Sequence, residues 1–244
     1  MRNEQLSWLV RQPIAHRGLH DMNKTRWENT LAAFEAAAVH GYAIECDVHL
    51  TSDGVPVVFH DRNLKRLTGT EGEVWQRSAG ELTSLAIGGT DERVPTLDQM
   101  LALVAGRVPI VVELKGVPGH DDGLVERVCE KLRGYGGEAA IMSFDHWLIR
   151  QFPAHSGDIP AGLTACGALP HEIEQHFSML ANGISFVSYG VFDLPNPFIS
   201  FVRERLSMPV ISWTVRDKAA VTKTFDHVDQ MTFEGFMPEA APVA

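Results

Sequence analysis

The sequence is poor in cysteine: Cys46, Cys129 and Cys166 are the only three in 244 residues, and they form no C-x-x-C pair. An odd, widely scattered set excludes a disulfide framework and predicts a reducing, cytoplasmic setting. Long apolar runs are missing too. Nowhere do about 18 apolar residues follow one another, so neither a spanning helix nor stable membrane insertion is expected. The N-terminal stretch MRNEQLSWLVRQPIAHRG carries no signal-like apolar core, because Arg11 and Gln12 interrupt it. Positive charge is in deficit, 21 Lys+Arg against 31 Asp+Glu for a formal net charge of -10. That balance excludes nucleic-acid binding driven by counterion release. An anionic substrate would need a local cation rather than the overall field. What remains is a hydrophobic fraction of 45% and a length suited to one large α/β domain, expected to take in residues 1–244 as a single barrel unit.

The most informative stretch is 42–61, YAIECDVHLTSDGVPVVFHD. With strand periodicity it puts Ile44, Cys46 and Val48 on one face and Glu45, Asp47 and His49 on the other. Two carboxylates on one face lie roughly 6 to 7 Å apart along the strand. That spacing is poor for an apolar core and suited to straddling a divalent cation. A turn at Ser52-Asp53-Gly54 leads into a second extended run that ends in His60-Asp61, returning a histidine to the carboxylate pair.

Along the chain, residues 13–15 read as a buried strand ending in His16-Arg17-Gly18. A helix opens near 28–30 and stops at Gly41. The stretch 61–95 reads as an irregular insertion with a short helix near 78–85. Strands are then expected at 108–114, 139–143, 159–163, 184–188, 209–214 and 229–233, separated by helices over 96–103, 121–132, 145–151, 170–180, 195–205 and 217–225. Eight strands alternating with helices predict a parallel sheet closed as a (β/α)8 TIM-type barrel, with a small insertion after the second strand. A doubly wound open sheet competes, but no glycine-rich phosphate fingerprint follows the first strand.

In such a barrel the C-terminal strand ends form the active-site mouth. They would carry His16 and Arg17, Glu45 and Asp47, His60, Glu113 and Lys115, and Trp213. Glu45, Asp47 and Glu113 packed together would repel unless a cation lay among them. An all-oxygen set favours a hard ion, one Mg²⁺ or Ca²⁺, over Zn²⁺. Arg17 and Lys115 are surplus to that balance and suit phosphate oxygens. His16 and His60 can exchange protons near neutral pH. Together the groups point to metal-assisted phosphoryl transfer.

HRG at 16–18, ENTLAAFEAA at 28–37, IECDVHLTSDGVPVVFHD at 44–61, NLKRLTG at 63–69, VPTLDQML at 94–101, VELKG at 112–116 and SWTV at 212–215 resemble the glycerophosphodiester phosphodiesterases. The resemblance spans most of the chain with its motifs in order. It implies hydrolysis of a small glycerophosphodiester substrate to glycerol 3-phosphate and an alcohol. It places the metal on Glu45, Asp47 and Glu113, the acid/base pair on His16 and His60, phosphate contacts on Arg17 and Lys115, and Trp213 on the glycerol side. Glu28 matches the glutamate of the family's Glu-Asn-Thr segment. The last strand departs from it, with 229–236 reading DQMTFEGF where relatives often carry Thr-Asp-x-Pro.

Each residue also has a plainer reading. Glu45 and Asp47 could be polar barrel residues paired with Arg or Lys, Lys115 could simply neutralise Glu113, and Trp213 could be core. His49 is expected to support the site rather than enter it. His20, His40, His120, His146, His155, His171, His176 and His227 are assigned to the surface, and the three cysteines to buried apolar positions, with Cys46 facing the helices. Two other activities fit the same motifs less directly: a phospholipase D-type attack on lysophospholipid or sphingolipid head groups, and a non-catalytic barrel that binds phosphorylated metabolites.

Overall fold

The computed structural model describes residues 4–238. Nine strands occur among them: β1 (Ile14–Ala15), β2 (Ala43–Leu50), β3 (Pro56–Val58), β4 (Ile110–Leu114), β5 (Ala139–Ser143), β6 (Ala161–Ala165), β7 (Phe186–Gly190), β8 (Val210–Val215) and β9 (Gln230–Phe233). Eight of them run parallel in the ring β1-β2-β4-β5-β6-β7-β8-β9, which closes because β1 pairs with both β2 and β9. β3 lies outside the ring, antiparallel to the C-terminal end of β2. The expected barrel is therefore the observed one.

Helices cover the outside: α1 (Leu31–Val39), α2 (Lys65–Thr68), α3 (Ala79–Leu82), α4 (Leu97–Val104), α5 (Leu124–Arg133), α6 (His146–Ile149), α7 (Phe152–His155), α8 (Pro170–Met179), α9 (Pro197–Glu204) and α10 (Lys218–His227). Their starts follow local capping chemistry. At α4 the Thr96 hydroxyl accepts from Gln99 N at 3.2 Å while Thr96 N donates to the Gln99 side chain at 2.8 Å, so two otherwise orphaned N–H groups are satisfied reciprocally. The helix expected over 145–151 is the shorter α6, with α7 following it beyond that range, and the strand expected at 159–163 begins two residues later, at Ala161.

Alternation along the strands divides the apolar residues between an outer and an inner core. Ile44, Cys46 and Val48 belong to the outer core under the helices, as expected for Cys46. The inner core holds Ile14, Ala43, Val111, Ala140, Met142, Phe186 and Ile211, and residues Leu6, Trp8 and Leu9 of a 3-10 turn (Glu4–Val10) close it from below. That plug was not anticipated, since 4–10 carries no periodic signal. The insertion has a third cluster of its own, with Val57, Phe59, Leu64, Leu67, Val74, Leu82, Ile87 and Val94 buried. Two histidines assigned to the surface are in fact buried, His20 and His176. His176 lies on the buried face of α8 with Nδ1 3.2 Å from the Tyr189 hydroxyl.

Inside the barrel, Gly162 of β6 pairs with Phe186 of β7, and a Cβ on Gly162 would stand 2.4 Å from the Phe186 ring. Gly162→Ala should cost about 1 to 3 kcal/mol of overpacking, a Tm loss of about 2 to 10 °C at this chain length. Adding Phe186→Leu should return part of it. A wild-type melting curve for the single variant would show that the inner layer can yield.

Candidate active site

The inward-facing rows of β1, β2, β4 and β8 start apolar at the barrel floor and carry the site residues at the C-terminal rim. Ile14 is followed two residues on by His16, Ala43 by Glu45 and Asp47, Val111 by Glu113 and Lys115, and Ile211 by Trp213. Strand register then decides which side chains meet. Asp47 lies opposite Glu113 across the β2–β4 pair, and Ala15 opposite Phe233 across β1–β9, so the following residues His16 and Glu234 emerge side by side. The eight residues singled out from the sequence, His16, Arg17, Glu45, Asp47, His60, Glu113, Lys115 and Trp213, all line one cavity of about 260 Å³ at this end.

Oxygens of Glu45, Asp47 and Glu113 lie within 4.8 Å of one another, and all three side chains are buried. Lys115 Nζ is 3.0 Å from Asp47 Oδ1 and bonds Glu113 as well. Arg17 Nε is 3.4 Å from Asp47 Oδ2, and Asn29 Nδ2 donates to the same oxygen at 2.8 Å. Burial opposes the charge of Asp47, yet Lys115, His60 and Arg17 hold its carboxyl below the ordinary range. Glu45 goes the other way: burial, with Asp47 and Glu113 beside it, pushes it well above that range. Burial raises Glu113 too, against the pull of Lys115. Glu45 Oε2 accepts from Arg17 N at 2.9 Å, but its Oε1 is buried with no hydrogen-bond partner. An orphaned carboxylate oxygen turned into an all-oxygen cluster fits a hard cation.

The imidazoles flank this cluster. His16 Nδ1 bonds Glu234, and its Nε2 is 4.0 Å from Glu45 Oε2. His60 follows β3, with Nδ1 2.7 Å from Asp61 Oδ1. Burial lowers both imidazoles from their ordinary value, against the pull of the neighbouring carboxylates, which favours the neutral ring that can accept a proton. His49 stays out of the cavity; its Nε2 sits 3.1 Å from His60 O and burial lowers it to about 4. Trp213 follows Ile211 on the inward row of β8. Its indole lines the cavity, edge-on to Phe144 at 5.1 Å, and the β8–β9 register shifts between Ser212 and Val215.

The sequence reading matched Glu28 to the family's Glu-Asn-Thr segment without giving it a task, and it singled out neither Asn23 nor Arg66. Glu28 accepts from Arg17 Nη1 at 2.7 Å, from Asn23 at 2.6 Å and from both terminal nitrogens of Arg66. Arg66, from α2 of the insertion, also grips Asp61, at 2.5 and 2.9 Å. One insertion residue thus braces both the Arg17 side and the His60 side of the cavity. Arg17 and Asn29 have positive φ, 55° and 54°, a strain of about 1 to 3 kcal/mol each that the surrounding bonds must offset. Cys166 corrects an expectation: it is exposed and lines the cavity, because Gly162, Thr164 and Cys166 form the inward row of β6.

The profile of the Glycerophosphoryl diester phosphodiesterase family matches residues 16–237. The chain belongs to this family. Among curated relatives, the glycerophosphodiester phosphodiesterase of Caldanaerobacter subterraneus is 33% identical over 165 residues, covering 63% of this chain and 67% of that protein. A rat lysophospholipase D is 33% identical over 138 residues, 51% of this chain and 42% of that protein. Among solved structures, an Oleispira antarctica phosphodiesterase in complex with the product sn-glycerol-3-phosphate has the same fold, with a TM-score of 0.77 at 23% identity over 92% of each chain. As a member of the family, the chain is a phosphoric diester hydrolase. No helix among the described residues is long and apolar enough to cross a membrane.

The Glu28–Arg66–Asp61 brace generates a stability prediction. Against burial, Arg66 and Arg17 hold Glu28 down at about 2, and Arg66 and His60 hold Asp61 at about 2. Depressed carboxylates stabilise the fold fully above about pH 5 and lose that contribution as pH falls toward 2. Arg66→Met should lower stability at pH 7 by about 1.5 to 3 kcal/mol, and the gap to wild type should close between about pH 4 and 2. A gap independent of pH would show that Arg66 acts through packing alone.

Proposed function

We propose that the chain hydrolyses glycerophosphodiesters to glycerol 3-phosphate and an alcohol at this cavity, with one Mg²⁺ or Ca²⁺ on Glu45, Asp47 and Glu113. The observation that carries the metal assignment is Glu45, whose Oε1 is buried without a partner beside two further carboxylates. When bound, such an ion supplies Lewis-acid polarisation of a phosphoryl oxygen. The chain's own residues do the rest. Arg17 and Lys115 offer N–H groups to phosphate oxygens from opposite sides of Asp47. One imidazole takes the proton of the attacking hydroxyl, from water or from the substrate's glycerol, as that oxygen bonds to phosphorus. The other, entering the step as the imidazolium, gives its proton to the departing alcohol oxygen as that oxygen's bond to phosphorus breaks. Trp213, fixed against Phe144, forms an apolar wall for the glycerol carbons.

A second reading, lysophospholipid head groups, draws on one feature of the rim: Phe192 lines the cavity yet is 76% exposed, a surface an acyl chain could cover. The rat relative's description as a lysophospholipase D agrees with it. Comparing turnover of glycerophosphocholine and lysophosphatidylcholine separates the two; the diester should be the better substrate.

Glycerol 3-phosphate release, followed with a coupled dehydrogenase, should vanish on chelation with EDTA and return with Mg²⁺ or Ca²⁺. Full turnover in metal-free buffer would remove the cation from the scheme. His16→Ala and His60→Ala should each lower kcat by about 10² or more; a wild-type rate in either would release that histidine from proton transfer. Glu45→Gln should weaken calorimetric binding of the ion.

A further inference from the structure

Glu234 stands one residue beyond β9 and is buried, 8% exposed, and nothing in the motif pattern of the last strand assigns it a task. Three donors surround it. Oε2 meets His16 Nδ1, Oε1 accepts from Arg216 Nε at 2.8 Å, and His20 Nε2 faces Oε2 from 3.6 Å. Against the penalty of burial, hydrogen bonds from His16 and Arg216, with His20 close by, hold the carboxyl well below the ordinary range, so it is ionised.

His16, His20 and Glu234 also bring nitrogen and oxygen atoms within 4.8 Å of one another, the composition of a second metal site. The hydrogen-bond pattern argues otherwise. Met22 N donates to His20 Nδ1 at 3.1 Å, so the neutral ring carries its hydrogen on Nε2, the atom that faces Glu234. An N–H, not a lone pair, points into the cluster. The arrangement is an anion ringed by donors.

We propose that Glu234 is the positioning residue for His16: a carboxylate with no hydrogen to give, it holds the imidazole as the Nδ1–H tautomer and leaves Nε2 bare toward the cavity. The backbone builds this in. His16 N donates to Phe233 O at 2.9 Å and Glu234 N to Val215 O at 3.1 Å, so closure of the ring brings both side chains to one rim. The proton of the attacking hydroxyl then passes to Nε2, and the imidazolium formed keeps Nδ1–H on Glu234, whose charge stabilises it. Arg216 and His20 keep Glu234 from turning away. The inference rests on the reading of His16 as a proton-transfer group.

The test is a long-range proton–nitrogen correlation spectrum of the full-length protein with ¹⁵N-labelled histidine, the His16 signals being identified by their loss in His16→Ala. Wild-type protein near neutral pH should show His16 protonated at Nδ1. In Glu234→Gln the amide can donate to Nδ1, so the population should move to Nε2–H, with kcat lower by about 10² to 10⁴ and KM within about threefold of wild type. Glu234→Asp should keep the Nδ1–H tautomer and recover at least about tenfold of that loss. Glu234→Gln in a His16→Ala background should cost nothing more. A wild-type His16 protonated at Nε2, or a folded Glu234→Gln enzyme within about threefold of the wild-type kcat, overturns the proposal. Should the Gln variant not fold, the wild-type spectrum and the Asp variant decide. The spectrum is taken without substrate, so failure to turn over any glycerophosphodiester would sink the functional reading while the tautomer still judges this one.

Discussion

Three carboxylates buried within 4.8 Å of one another repel, and the rim of this barrel is arranged around that repulsion. Lys115 lies between Asp47 and Glu113, and Arg17 and Asn29 approach Asp47 from the other side. These partners satisfy Asp47 first, which is why its carboxyl stays charged while Glu45, with one oxygen unpartnered, is pushed toward protonation. Charge compensation is therefore uneven, and the deficit is concentrated at Glu45. A protein selected for stability alone would relieve it with apolar residues at little cost. Its retention at the mouth of a barrel is the pattern expected where a cation or charged substrate completes the balance.

Stability and chemistry are sorted along the barrel axis. The floor is closed by Leu6, Trp8 and Leu9 against Ile14, Phe186 and Ile211. The rim is supported sideways by the insertion, which has its own buried cluster and sends Arg66 across to Glu28 and Asp61. Those contacts hold Arg17 and His60 through their carboxylate partners rather than directly. Precise placement then comes from packed elements instead of mobile rim loops.

How much of this was legible in the sequence follows from the range of each interaction. The barrel strands are short buried runs between helix signals, so their number and order could be read. Glu45, Asp47 and Glu113 could be placed because period-2 alternation sends them inward from a strand whose apolar face is plain. Cys166 was hidden by a two-residue offset in β6: a strand at 161–165 carries Gly162, Thr164 and Cys166 on one row, whereas one ending at 163 leaves Cys166 in a loop. His20 was hidden because its burial depends on Glu234, more than two hundred residues away. Glu234 itself meets His16 across 218 residues of chain, and only the closing pair of first and last strands brings them together.

The two imidazoles show what that closure adds. Each has a carboxylate at Nδ1, but the partners differ in kind. His60 leans on its own sequence neighbour, Asp61, a half-open pair with side chains 30% and 23% exposed. His16 leans on Glu234 across the seam of the barrel, with side chains only 13% and 7% exposed. Water can exchange protons and compete for hydrogen bonds at the first pair and has little access to the second. In low dielectric a charged acceptor discriminates more strongly between the two tautomers of a neutral ring. The exposed pair is thus built for exchange with solvent and the buried pair for fixed orientation, a division imposed by where the strands end rather than by the identity of the two histidines.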